Sequence, residues 1–370
     1  MYIKSKYPND SLNTTCNVNK YSYVLINGTE VTIEYSSYTW FESMKHLFKN
    51  LGEKEAPMYP WNTPRCKLNM SSFGPITIKK TTLKIEWVEK KHSHVKLGGF
   101  YAPAKCRSPY RIAIFVPYRN LKENLSIFLY YIHRLMKIHM LEYRIFIVEQ
   151  FGTEKFNRGI LFNIAYLESQ RFGTWDCLIF HDVDAIPEDD RILYTCSRSP
   201  FHFSSAVEQF GYNLRYEEQF GCVTALTPAQ FQAVNGYSNF YWSWGGEDDD
   251  MSARLKFSNL KISRYNITIG RFATLPHKTS ESGRVNTLFL LLCRQRFQIE
   301  GLKTTHYKLI ALDERKLFTH ILVDVNPHKL KLDDKYLLRQ LLNVSGRNNL
   351  MGYRYTFLMH KATKPTLKSS

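Results

Sequence analysis

Arg111-Ile-Ala-Ile-Phe-Val-Pro117 is a continuous apolar run closed by proline, and the reading of the chain works outward from it. A short run of this kind fits a strand buried on both faces. Downstream, Leu125 to Met140 places apolar residues at helical spacing, and Tyr143-Arg-Ile-Phe-Ile-Val148 reads as a second strand. Phe162 to Ser169 is helical again, and Trp175-Asp-Cys-Leu-Ile-Phe-His181 is a third strand. Strand, helix, strand, helix, strand predicts an α/β fold with a mainly parallel central sheet flanked by helices. Residues 1–65, rich in hydroxyls and aromatics but without regular periodicity, read as a stem or accessory segment. Residues 66–326 read as the main domain. Residues 327–370 form a basic C-terminal extension, with one amphipathic stretch near Leu332 to Leu342 and partial disorder expected at Ala362 to Ser370.

Across 370 residues, 44% hydrophobic and 15% aromatic content supplies a core and excludes wholesale disorder. No apolar run approaches the roughly 18 to 20 residues that span a bilayer. Fifty Lys and Arg against 33 Asp and Glu leave a formal charge of +17, which favours anionic partners. The basic residues are scattered without an aromatic-interleaved recognition motif, so no nucleic-acid partner is expected. Seven cysteines lack C-x-x-C spacing, which argues against a zinc cluster. N-x-S/T acceptors begin at Asn9, Asn13, Asn27, Asn69, Asn124, Asn266 and Asn343 and favour a lumenal or extracellular life. Met1 to Gly28 lacks a signal pattern, and the reading is that a membrane anchor is absent from this chain.

Two stretches carry chemistry. His181-Asp-Val-Asp-Ala-Ile-Pro187 follows the third strand, and ligands of open α/β sheets gather at the carboxyl ends of strands. Asp184 could there hold a divalent cation against a diphosphate, although D-x-D is also a common solvated turn. Tyr241-Trp-Ser-Trp-Gly-Gly-Glu-Asp-Asp-Asp250 sets four acids beside two tryptophans and a glycine pair. Aromatic faces stack on sugar rings, glycines let a loop move, and a carboxylate can take a proton. Acids also favour helix N-termini, and Asp250 is expected mainly to cap a helix beginning near Met251.

Phe156-Asn-Arg158, Asp182-Val-Asp184, Asn235-Gly236 and Trp242-x-Trp-Gly-Gly-Glu-Asp-Asp-Asp250 occur in the order and at the spacing of one family, and Gly98-Gly-Phe-Tyr-Ala-Pro103 and Val116-Pro-Tyr-Arg-Asn120 match it too. Over about residues 66 to 325 the chain resembles the β1,4-galactosyltransferases, type II Golgi enzymes acting on UDP-sugars. The resemblance implies a nucleotide-diphospho-sugar transferase fold of the GT-A type and an inverting transfer to a terminal sugar, GlcNAc or Glc, of a glycoprotein or glycolipid. It puts Pro117, Tyr118, Arg119, Asn120, Phe156, Asn157, Arg158, Asp182, Val183, Gln219 and Trp244 at the donor, with Trp244 on a mobile loop. Tyr216, Gly246, Glu247, Asp248, Asp249 and Arg284 fall at the acceptor, with Asp248 as the base. Asp184, His277 and Thr274 fall on the Mn²⁺ ligands. The implied disulfides are Cys66–Cys106 and Cys177–Cys196, and the implied location is the Golgi lumen, anchored through the missing segment, or the secreted fraction.

Several positions depart from the family pattern. Thr274 stands where many members have Met, and Leu121 where many have a second Arg. Gln219 replaces an aromatic that in the family crowds C2 of the sugar, which leaves UDP-Gal and UDP-GalNAc both open as donors. Cys222 replaces one glycine of a pair. These departures keep an inactive UDP-sugar-binding or carbohydrate-binding relative open as the alternative to an active enzyme.

Overall fold

The structure is a computed structural model that describes residues 20–24, 30–34, 63–277 and 286–325. Strands β1 (Lys20–Val24) and β2 (Glu30–Glu34) form an antiparallel hairpin within the segment expected to be a stem. Cys16, Arg284 and the extension from residue 327 lie outside the described residues.

The main domain begins with helix α1 (Ile85–Lys91) and strand β3 (Phe100–Tyr101). The deciding run is strand β4 (Arg111–Tyr118), followed by α2 (Lys122–Ile138), β5 (Glu142–Gln150), α3 (Arg158–Ser169) and β6 (Cys177–His181). β4 pairs in parallel with both β5 and β6, so Ile114 lies against Ile145 on one side and Ile179 on the other. Alternation along β4 divides the core between the two faces of the sheet. Ile112, Ile114 and Val116 pack with Phe128, Ile132 and Leu135 of α2, whereas Ala113 and Phe115 pack with Ile160, Phe162 and Ile164 of α3. A strand buried on both faces has no polar side, which is why the sequence there shows a continuous apolar run rather than alternation.

Around this parallel centre the sheet is mixed. Short strands β7 (Ala185–Pro187), β8 (Phe201–His202) and β9 (Ala206–Val207) precede β10 (Val223–Leu226) and helix α4 (Pro228–Ala233). Helix α5 (Glu247–Phe257), β11 (Ser263–Arg264) and β12 (Arg271–Thr274) follow, and then α6 (Asn286–Leu291), α7 (Cys293–Arg296), β13 (Lys308–Glu314) and β14 (Thr319–Asp324). The main sheet runs β11-β8-β10-β6-β4-β5-β14-β13, with β3 also on β5. β14 joins β5 in parallel, while β10, β13 and β3 pair antiparallel. A separate sheet, β7-β12-β9, stands beside the carboxyl end of β6.

Both disulfides form as the resemblance implies, with Cα separations of 4.9 Å for Cys66–Cys106 and 5.3 Å for Cys177–Cys196. The second ties the start of β6 to the segment after β7 and so braces the turn between them. Among the described sequons, Asn69 and Asn266 are exposed, whereas Asn124 is buried in the first turn of α2 and donates to the Pro276 carbonyl at 3.4 Å. No helix among the described residues is long and apolar enough to cross a membrane.

Candidate active site

The site lies where β4, β5 and β6 end. After His181 the chain turns through Asp182-Val183-Asp184 into β7, and the Asp182 N–H donates to the Cys222 carbonyl at 3.1 Å. β7 pairs with β12 so that Ala185 faces Thr274, and the Leu275 N–H donates to the Asp184 carbonyl at 2.7 Å. This short ladder delivers His277, whose Nδ1 lies 3.3 Å from Asp184 Oδ2. The two expected metal ligands, 93 residues apart in sequence, thus meet through β7 and β12. The Thr274 hydroxyl is turned toward Gln209, whose N–H it accepts at 3.4 Å, and the Thr274 N–H donates to Glu208 at 2.9 Å.

Arg158 joins the two acidic motifs. Asn157 caps α3, its Oδ1 accepting from the Ile160 N–H at 3.0 Å, and this places Arg158 on the first turn. The Arg158 Nε donates to Asp182 at 2.6 Å, and its terminal nitrogen donates to Asp248 at 2.6 Å and Glu247 at 3.4 Å. Burial pushes the Asp182 and Asp184 carboxyls upward from their ordinary range. Burial also raises Glu247 and Asp248; the charge of Asp248 adds to the rise of Glu247, while Arg158 opposes both shifts. Glu247 Oε2 is buried without a hydrogen-bond partner among the described residues.

The glycine pair follows the exposed Trp244. Ser243, Gly245 and Gly246 all have positive φ, and Gly246 packs so tightly on the Tyr241 ring that a Cβ there would collide with it. Trp244 is 54% exposed, and the Asn286 carboxamide donates to the Gly245 carbonyl at 2.5 Å. Helix α5 starts at Glu247, not Met251, with all four acids in its first turn. Among them, Asp249 accepts from the Tyr216 hydroxyl at 2.5 Å. Asp250 does not cap the helix as expected; it is fully buried and paired with Arg254 and Arg296.

On the donor side, Arg119 stacks over Phe156 at 5.2 Å beyond the end of β4. Asn120 takes the left-handed conformation that turns the chain into α2. Four residues expected at the donor are turned inward instead. Asn157 is buried, spending its carboxamide on the helix cap and on the Asn239 carbonyl at 2.7 Å. Val183 and Tyr118 pack into the apolar core, leaving backbone to face the site. Gln219 is buried with Oε1 folded back onto the Arg215 N–H at 3.0 Å. Sequence reasoning missed Gly221, which packs against the Asp248 carboxylate, and Asn286, which donates to the Gly245 carbonyl. Neither carries a signal in one sequence, because a lone glycine or asparagine looks like any loop residue.

A parallel-centred sheet with a D-x-D turn at its carboxyl edge and an acid-headed helix facing that turn defines a glycosyltransferase of the GT-A type, working on nucleotide-sugars. Residues 66–197 match the family model for the N-terminal region of glycosyl transferase group 7, and residues 201–278 match that for the N-terminal domain of galactosyltransferase. The chain is 40% identical to β-1,4-galactosyltransferase 4 of Cricetulus griseus over 71% of its length and 77% of that protein. It is 37% identical to β-1,4-galactosyltransferase 1 of Homo sapiens over 68% of its length and 64% of that protein. Among solved structures, the catalytic domain of Drosophila β1,4-galactosyltransferase 7 in complex with xylobiose is similar at 25% identity, with a TM-score of 0.48, covering 58% of this chain and 93% of that one. The chain belongs to the β-1,4-galactosyltransferase family.

Proposed function

We propose that residues 66–326 form an inverting transferase that moves galactose or N-acetylgalactosamine from its UDP conjugate to a terminal sugar hydroxyl in β1,4 linkage. The observation that carries this reading is Arg158 bridging Asp182 to Glu247 and Asp248 beside the Asp184–His277 pair. On this reading the diphosphate site and the proton acceptor lie on opposite sides of one guanidinium.

Asp248 takes the proton of the attacking hydroxyl as the new C–O bond forms at the anomeric carbon and the bond to the UDP oxygen breaks. Arg158 orients the Asp248 carboxylate for that transfer. Glu247 meets a second acceptor hydroxyl through its unpartnered Oε2, while Asp249 and Tyr216 fix the acceptor ring from the other side. Trp244 closes over the sugars, pivoting on Gly245 and Gly246. Arg119 and Phe156 hold the nucleotide. A carboxylate and an imidazole 3.3 Å apart are donors that a divalent ion such as Mn²⁺ accepts. That ion, held by Asp184 and His277, would supply Lewis-acid stabilisation of the departing diphosphate.

Gln219, smaller than a tyrosine and folded back onto its own turn, supports N-acetylgalactosamine as a donor beside galactose. The chain acts in the Golgi lumen or after secretion, on a glycoprotein or glycolipid. The test is a screen of UDP-Gal and UDP-GalNAc with GlcNAc-, glucosylceramide- and xylose-terminated acceptors in Mn²⁺. Transfer to none of them, by protein that binds UDP, would overturn the proposal in favour of a binding relative.

A further inference from the structure

Behind the Trp244 loop lies a group of four charged side chains that the transfer reaction does not use. Asp250 and Arg254 come from α5, Arg296 ends α7, and Glu300 follows one turn later; all four are buried, with Arg254 and Arg296 fully so. Asp250 Oδ1 accepts from Arg254 Nε at 2.6 Å, and its Oδ2 pairs with Arg296 and accepts from the Tyr241 hydroxyl at 2.9 Å. Glu300 Oε1 accepts from Arg254 at 2.6 Å and pairs with Arg296, and its Oε2 accepts from the Asn239 N–H at 3.1 Å. Arg296 also donates to the Ser238 hydroxyl at 2.8 Å and to the Phe289 carbonyl at 3.0 Å. The remaining guanidinium nitrogen of Arg254 sits among backbone carbonyls at Asn235, Gly236 and Glu300, which accounts for the Asn235-Gly236 turn.

Two cations and two anions balance inside the protein, and each is hydrogen-bonded, the condition under which buried charge persists. Apolar side chains would fill the same space without that cost. Charge here adds direction, because a guanidinium fork bonds carboxylates and carbonyls only at fixed angles. The chain segments that meet are those that carry the site. Residues 238–241 run straight into the Trp244 hinge, α5 carries Glu247 and Asp248, and α6–α7 continue the chain beyond His277. Tyr241, bonded to both Asp250 and Arg296, is also the ring on which Gly246 rests.

We propose that Asp250, Arg254, Arg296 and Glu300 form a buried clamp that fixes the hinge of the Trp244 loop and the first turn of α5, and that Arg296 is thereby a positioning residue for transfer. The role rests on the proposed transferase reading. Arg296→Lys keeps the charge and loses the fork; Tyr241→Phe removes one hydroxyl and leaves the ring under Gly246. The measurements are thermal midpoint, UDP affinity in Mn²⁺, kcat per folded molecule with the best acceptor of the screen, and hydrogen–deuterium exchange along the chain. Arg296→Lys is expected to lower kcat by roughly 10- to 100-fold with UDP affinity unchanged within about twofold, since small misplacements of reacting groups cost this much. Exchange across 240–252 should rise in both variants while β4, β5 and β6 stay protected. Equal kcat per folded molecule, or exchange rising uniformly with lost stability, would reduce the clamp to a structural element and overturn the proposal. If Arg296→Lys fails to fold, Tyr241→Phe decides by the same two readouts. A wild-type chain without transferase activity would sink the proposed function, and the exchange pattern, which needs no turnover, would still decide for or against the clamp.

Discussion

Gly221→Ala tests the placement of the base with a single methyl group. Gly221 lies in ordinary backbone, so alanine is tolerated there without strain, but its Cβ would stand 2.6 Å from the Asp248 Cγ and closer still to Oδ2. Ordinary contact begins at 3.4 Å, so the carboxylate must retreat by about 1 Å. It cannot do so freely, because Arg158 grips it at 2.6 Å. A shift of that size in a reacting group costs on the order of 100-fold in rate. The assay is steady-state transfer with the donor and acceptor varied separately, beside UDP binding and a melting curve. The expected result is a kcat lowered by roughly 30- to 100-fold, with UDP affinity and fold retained. A folded Gly221→Ala enzyme with kcat within about threefold of wild type would show that Asp248 does not act from the position seen here.

Asp248→Asn should abolish turnover while sparing UDP-sugar binding by calorimetry; near-normal turnover would remove it from the base role. Burial raises Asp248, and the base works only when ionised, so kcat/KM should fall as pH drops through a value above the ordinary carboxylate range near 4. A pH–rate profile flat down to about pH 4.5 would contradict this. Asp184→Ala and His277→Ala should each weaken Mn²⁺ binding measured by electron paramagnetic resonance, and full transfer in excess chelator would sink the metal assignment. Gln219→Tyr should move the kcat/KM ratio toward UDP-Gal by roughly 10- to 200-fold, the worth of one blocked substituent, and an unchanged ratio in active protein would exclude this position from donor choice. Asn69 and Asn266 each accept from the N–H and hydroxyl of the residue two further on, at 2.8 to 3.1 Å, and are exposed. Peptide mapping of lumenally expressed protein should find glycan there and none at the buried Asn124; a glycan on Asn124 would contradict its place in α2.

The sheet centre was legible because burial on both faces leaves a mark that one sequence carries by itself. β4, β5 and β6 fall on the three apolar runs, and α2 and α3 on the periodic segments between them. The short peripheral strands were not legible. β7, β8, β9 and β11 have two or three residues each and get their geometry from partners far away in sequence, so no local period announces them. The same difference divides the site. Asp182, Asp184, Glu247 and Asp248 sit in motifs whose neighbours identify them. Asn157 and Val183 belong to those motifs as well, but their side chains serve a cap and a core, which motif membership cannot distinguish from ligand contact. Asp250 was misread because a carboxylate in a first turn normally looks outward to the helix dipole, and only the fold reveals Arg296 waiting 46 residues away.

Electrostatics then explain why the metal pair and the base belong to one device. Asp182, Asp184, Glu247 and Asp248 crowd around a single guanidinium, and burial already pushes all four carboxyls upward. A diphosphate brought into that surround adds negative charge where negative charge is already in excess, and two like charges a few ångströms apart repel by several kcal/mol at the dielectric of a partly buried site. Arg158 cannot offset both, since its contacts with Asp182 and Asp248 are made at 2.6 Å before any substrate arrives. A cation held by Asp184 and His277 would relieve that repulsion. The Thr274 hydroxyl is turned toward Gln209, so the Asp184 carboxylate and the His277 imidazole are the donors on which such a cation would rest.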